Sequence, residues 1–365
     1  MEIRKRVESV DVLRGLTIMA MILVNTPGDW GHVYSPLLHA KWHGLTPTDL
    51  IFPFFLYIVG ISIYFAYKNK LPSRSVYYKI LIRSLKLIGL GVFLNLFLPY
   101  FPFIEDLETI RWPGVLQRIG VVFFVSSILY INHHWKTLIF ICFVILLGYW
   151  LFLGFMPFPN EDGLMPTFER ASNNWSNFID SKILGKHMWM PDYDPEGVIS
   201  TLPAIVSCIS GILIGKLLDT TKPLKNLFLI TIAFFILGYV FSIYFPINKS
   251  IWSSSFVLVT NGWATFLLAI IYYLKDVKGH SWGMIFKYVG VNGITIYFLS
   301  SLISKCMYLI EMKEGVNLHS AIYKYVFVHD FMSLELSSLL YALSVVLCYV
   351  LLAYLMYKKK IFIKV

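Results

Sequence analysis

Long apolar blocks, rather than apolar and polar residues in alternation, limit what this chain can fold into. Leu50 to Tyr67, Ile119 to Ile131 and Leu339 to Tyr357 run almost without charge and are separated by short charged segments. As helices rising about 1.5 Å per residue, stretches of this length cross the roughly 30 Å of hydrocarbon in a bilayer. At 57% hydrophobic and 14% charged residues, the chain also departs from the roughly 45–50% apolar and 25% charged composition of soluble domains. The sequence therefore predicts an all-α polytopic integral membrane protein, not a water-soluble globule.

Ten spans are expected, at 12–27, 46–67, 79–98, 113–131, 136–156, 199–218, 225–245, 252–273, 284–304 and 335–357. The first contains Arg14, Thr17 and Asn25 and should lie inside the bundle, shielded from lipid. Met1 to Asp11 is charged and no small-residue cleavage site precedes Asn25, so this run is expected to remain as the first span. Residues 317–333 are apolar but interrupted by Lys324, His329 and Asp330, which suits an interfacial or re-entrant segment, or otherwise an eleventh span. Most of the 31 Lys and Arg residues, including Arg4, Lys5, Arg6, Lys68, Arg74, Lys136, Lys222 and Lys364, fall on the side of the N-terminus. The positive-inside rule makes that side cytoplasmic, with both termini on it. It also accounts for the net charge of +10 without nucleic acid.

One transmembrane domain, 1–365, is expected, with outside loops 28–45, 99–112, 157–198 and 305–334. Cys142, Cys208, Cys306 and Cys348 lie in or beside apolar stretches and read as small hydrophobes, and no spacing of Cys and His points to a metal.

The polar residues concentrate at a few junctions. Asn25, Asp29, His32, His39, Lys41, His43 and Asp49 crowd the first outside connection together with Trp30 and Trp42. Thr46, Pro47 and Asp49 fit a helix start, with Asp49 as a capping carboxylate. His39 has the chemistry of a general base, with surface exposure or packing as its alternatives. Deeper or toward the inside lie Asp11, Arg14, Arg83, Lys86, Gln117, Arg118, Asn261, Asn292 and the serines around Ser254. Asp11 and Arg14 share a helix face and suit mutual pairing. Arg118 either pairs with Glu105, Asp106 or Glu108 or binds an anion. In DPEGVISTLPAI, residues 194–205, Asp194 or Glu196 is positioned to face an outside vestibule. Together these motifs imply a polar cavity.

Taken in order, SVDVLRG (9–15), VN (24–25), HAKWHGLTPTDLIFPFFLYIVG (39–60), PGVLQRI (113–119), DPEGVISTLPAI (194–205), NKSIWSSSFVLVTNG (248–262) and GVNGITIY (290–297) resemble the membrane domain of the heparan-alpha-glucosaminide N-acetyltransferase family and its bacterial relatives. The resemblance implies transfer of an acetyl group from acetyl-CoA to the amine of a glucosamine-type sugar in a bacterial inner membrane, and a homodimer. His39 matches the family's active histidine and Asn25 its neighbouring asparagine, with Asp49 able to orient His39. Arg14, Arg83, Lys86, Gln117, Arg118, Ser254 and Asn292 are the expected contacts for acetyl-CoA. Asp29, Trp42, Asp194 and Glu196 are those for the sugar. The extra N-terminal luminal region of the animal enzyme has no expected counterpart, which favours a monosaccharide or envelope sugar over long chains. Direct transfer and an acetyl-histidine intermediate both fit. A transporter for N-acetylglucosamine or a related sugar is the rival reading, and a non-catalytic interaction protein a weaker one.

Overall fold

The structure, a computed structural model, describes residues 7–159, 164–313 and 315–363. Arg4, Lys5, Arg6 and Lys364, used in the charge argument, lie outside the described residues.

Helices follow the apolar blocks. They are α1 (Glu8–Asn25), α2 (Ile51–Tyr67), α3 (Arg74–Leu96), α4 (Val115–Asn132), α5 (Trp135–Phe155), α6 (Trp175–Leu184), α7 (Thr201–Leu218), α8 (Pro223–Ser242), α9 (Ser254–Tyr272), α10 (Met284–Val291), α11 (Gly293–Leu309), α12 (Leu318–Ile322) and α13 (Leu334–Lys358). Their starts are set locally. Side chains of Ser73, Asn174, Ser253 and Ser333 accept hydrogen bonds from first-turn amides of α3, α6, α9 and α13. Pro223 opens α8, where its missing N–H costs nothing.

Among the described residues, seven helices are long and apolar enough to cross a membrane, counting the short turn from Pro47 with α2. α10 and α11 pass the same test together, but they meet at 79°. The chain is a helical membrane protein. α1 and α3 occupy two of the expected span positions, but Glu8, Asp11 and Arg14 in one and Lys79, Arg83 and Lys86 in the other set them apart from that group. α1 is buried along most of its length, as its polar content requires. By contrast, α5 and α8 expose Phe140, Phe143, Leu229 and Ile236 along faces that suit lipid.

The centre of the bundle is the α2–α7 contact. There the two backbones approach so closely that a Cβ on Gly60 would sit 1.9 Å from the Cys208 carbonyl oxygen, and one on Gly211 1.9 Å from that of Tyr57. Only glycine permits this approach.

The expected span 284–304 is broken rather than straight. The break at Asn292 leaves carbonyls without helical partners, and Arg14 Nη1 donates to Gly290 O at 3.2 Å. The Asn292 side chain instead holds the segment after α13: its Nδ2 donates to Ile361 O and its Oδ1 accepts from the Ile363 N–H, both at 3.0 Å. Residues 317–333 do not form an eleventh span. α12 and the wider turn Tyr323–Phe327 that continues it reach only roughly 15 Å, and Tyr325 and Phe331 remain exposed.

Beyond the end of α1, residues 28–50 and the stretch before α4 join the segment holding α6 through Trp42–Phe168, His43–Glu169 and Trp112–His187 contacts and form a cap, while the ribbon of β1 (Glu311–Lys313) and β2 (Val316–Asn317) packs on α11 and α12. Arg111 ties this cap to the start of α7.

Candidate functional site

A cavity of about 710 Å³ opens under the cap. Its walls include the end of α1 (Met21, Ile22, Asn25), the approach to α2 (His39, Asp49, Phe52) and one face of α11 (Tyr297, Ser300, Ser301, Ser304). This volume lies within the range of small-molecule sites.

The turn Pro47–Leu50 places the central carboxylate. Thr46 precedes it, Pro47 takes the first position, and Asp49 is the third, where a carboxylate accepts from the free amides of a helix start. Asp49 Oδ2 accepts from the Thr46 and Ala40 N–H groups, at 3.0 and 3.1 Å, and from the Thr46 hydroxyl at 3.0 Å. Asp49 Oδ1 lies 2.7 Å from His39 Nδ1. The two roles weighed for Asp49 are therefore divided between its two oxygens. Because a carboxylate only accepts, Nδ1 is the donor and Nε2 carries the free lone pair. Asp49 is 1% exposed, whereas the His39 side chain is 49% exposed and faces the cavity.

Lys249 approaches from the loop before α9. Its Nζ is 3.1 Å from His39 Nδ1, 3.2 Å from Nε2 and 3.9 Å from Asp49 Oδ1. Burial lowers the pKa of this ammonium, against the pull of the Asp49 and Glu196 charges. Glu196 lines the cavity and, with Asp194, grips Arg111; the Arg111–Asp194 contacts are 2.6 and 2.8 Å. Burial works against the Arg111 charge, but the two carboxylates outweigh it and hold the guanidinium above its ordinary value. Arg111 also lies 5.2 Å from the Trp189 ring, which with Trp30 and Tyr193 gives the cavity aromatic walls.

The structure thus gathers Asn25, His39, Asp49 and Glu196 in one cavity and sends the other expected site residues elsewhere. Asp29 turns to His32, whose Nδ1 lies 2.7 Å from its Oδ2; that contact, then the Gly31 amide, holds its carboxyl below the usual range. Trp42 is a buttress: its indole N–H donates to Phe168 O at 2.9 Å, tying the first outside loop to the long one. Asp194 is wholly buried against Arg111.

The residues expected to meet acetyl-CoA are likewise dispersed. Arg14 bonds Asp11 at 3.1 Å, the pairing expected from their spacing, and Ser62 at 2.8 Å. Arg83 lies 4.7 Å from the Phe123 ring, and Lys86 is exposed on α3. Gln117 donates to Trp112 O, Ser254 to Leu146 O, and Asn292 braces the tail. Arg118 bonds Gly197 O and Ser200 and lies 5.2 Å from the Trp252 ring, rather than pairing with Glu105, Asp106 or Glu108. Lys249, Arg111 and the α11 hydroxyls were not among the expected site residues. Spacings of three and four from Tyr297 to Ser304 were the available sign of one polar helix face.

A sequence model described as heparan-alpha-glucosaminide N-acetyltransferase, catalytic, matches residues 6–218, which include His39, Asp49 and Glu196. The chain belongs to this family. It is 32% identical to heparan-alpha-glucosaminide N-acetyltransferase of Mus musculus, over 80% of this chain and 53% of that protein. It is 30% identical to the Homo sapiens protein of the same name, over 80% of this chain and 52% of that one. The chain spans about half the length of these curated relatives. Membership of the heparan-alpha-glucosaminide N-acetyltransferase family agrees with the resemblance read from the motifs. Lys249 and the α11 face lie beyond the matched residues.

Proposed function

We propose that this chain is a membrane acetyltransferase that moves the acetyl group of acetyl-CoA to the amine of a glucosamine-type sugar. The single observation that carries the reading is the His39–Asp49 pair at 2.7 Å, facing a cavity in a chain of this family. Supporting it, Asp49 fixes the tautomer that leaves Nε2 as a base. The α11 hydroxyls and the apolar side chains of Met21, Ile22 and Phe52 offer a wall suited to an amide-bearing, otherwise aliphatic arm such as pantetheine. Glu196, Trp30, Trp189 and Tyr193 offer a carboxylate and aromatic faces suited to a sugar.

In the proposed reaction the sugar nitrogen attacks the thioester carbon as His39 Nε2 takes its proton. The N–C bond forms, the C–S bond breaks, and the departing thiolate recovers the proton from His39. Asn25 orients a reactant or stabilises the oxyanion. We further assign ten spans, with both termini and the thioester donor on the basic cytoplasmic side and the sugar on the other. A bacterial inner membrane, a single domain and a homodimer complete the reading.

The test is release of CoA by purified protein given acetyl-CoA and glucosamine. Wild type should turn over, and His39→Ala should fall by at least about 10²-fold, as loss of a general base does, with its thermal transition intact. No release by wild type, or unchanged release by a folded His39→Ala, rejects the reading. Labelled acetyl-CoA without acceptor separates the two routes, because label retained on His39 marks an acetyl-histidine.

A further inference from the structure

The ammonium of Lys249 is nearly equidistant from the two ring nitrogens of His39, at 3.1 and 3.2 Å. The lone-pair axes of those nitrogens diverge around the ring, so a donor equally close to both lies along neither. Nδ1 is in any case engaged by Asp49. The contact is therefore a charge set against the imidazole, leaving the Nε2 lone pair to the cavity.

The placement is built into the loop. Asn248 Oδ1 accepts from the Ile251 N–H at 3.1 Å, its own N–H donates to Ser253 Oγ at 3.0 Å, and the Lys249 carbonyl accepts from the Trp252 N–H at 3.1 Å. Trp252, fully buried at φ +49°, locks the turn. The Lys249 side chain is only 18% exposed.

We propose that Lys249 is a positioning residue whose positive charge keeps His39 neutral at rest and drives its proton onward during turnover. This deepens the acetyltransferase reading and rests on it. Asp49 alone would favour the imidazolium, whose Nε2 proton blocks the base. A cation beside the same ring disfavours that state. After Nε2 has taken the amine proton, the imidazolium faces an ammonium, so the proton passes to the leaving sulfur rather than resting on the ring.

The remaining charged or titratable groups lining the cavity are Lys41, Arg111, Glu196, Tyr193 and Tyr297. Arg111 and Glu196 are paired with each other, and His43 on the neighbouring turn is held by Glu169 and Asn248.

The experiment compares wild type, Lys249→Met and Lys249→Arg as full chains in detergent. Diethylpyrocarbonate, which reacts with neutral imidazole, is applied across about pH 5–8 and modification of His39 is read by peptide mass. The acid limb of kcat/KM for CoA release with glucosamine is measured in parallel. Lys249→Met should raise the His39 midpoint by about one pH unit and move the acid limb with it, lowering kcat/KM about tenfold on that limb. Lys249→Arg should stay near wild type. A folded Lys249→Met with the wild-type midpoint overturns the proposal, and Lys249→Gln serves the same comparison if Lys249→Met does not fold. Absence of CoA release by wild type rejects the acetyltransferase reading instead, while the His39 midpoint still decides what Lys249 does to the ring.

Discussion

At the scale of single residues, Asp49 shows how one side chain meets two demands. Oδ2 secures the turn that begins α2 and Oδ1 secures the imidazole. The two can be separated experimentally. Asp49→Asn should lower kcat by roughly 10²–10⁴-fold, because an amide does not enforce the same tautomer, with a much smaller change in thermal midpoint. Thr46→Ala removes a hydroxyl donor to the same carboxylate and should cost about 1 kcal/mol of stability while leaving the pH profile in place. The capping half of this arrangement was legible in the Thr-Pro-Thr-Asp run, because caps act between residues near in sequence. Lys249 was not, since 210 positions separate it from His39 and only the fold brings them together.

At the scale of elements, backbone approach matters as much as apolar pattern. α2 leads directly from Asp49 and α7 follows directly from Glu196, so the crossing of these helices sets the spacing between opposite walls of the cavity. Gly60→Ala or Gly211→Ala should force them apart, costing about 1–3 kcal/mol as overpacking does. Thermal unfolding in detergent measures this, and an unchanged midpoint would show that the crossing gives way without cost. The bend between α10 and α11 makes the complementary point. Gly-Val-Asn-Gly sits inside an apolar run long enough to cross, so hydropathy alone reads one continuous span. Arg14 satisfies a backbone carbonyl at the break, and the Asn292 side chain bonds the segment after α13 instead, so two residues expected to bind acetyl-CoA are engaged in the scaffold.

For the whole molecule, the ends of the bundle differ in kind. One carries the cap and the cavity, and the other carries short basic connections such as Lys68 to Arg74. With native cysteines replaced, a membrane-impermeant maleimide should label Ser35→Cys in intact cells and Asn69→Cys only after permeabilisation. The reverse pattern would place His39 on the side of the donor and remove the need for transfer across the bilayer. Amino-acid order by itself determined that this is a helical membrane protein, where most helices run, and that His39 and Asp49 share a junction. Those features follow from length, hydropathy and local capping. Tertiary structure alone decided which polar residues distant in sequence meet. Arg14, Arg118 and Asn292 bond the scaffold, whereas Glu196, Lys249 and the α11 hydroxyls converged with His39 from distant segments. Burial favours a partner for each polar group, but which partner it meets depends on how the helices cross.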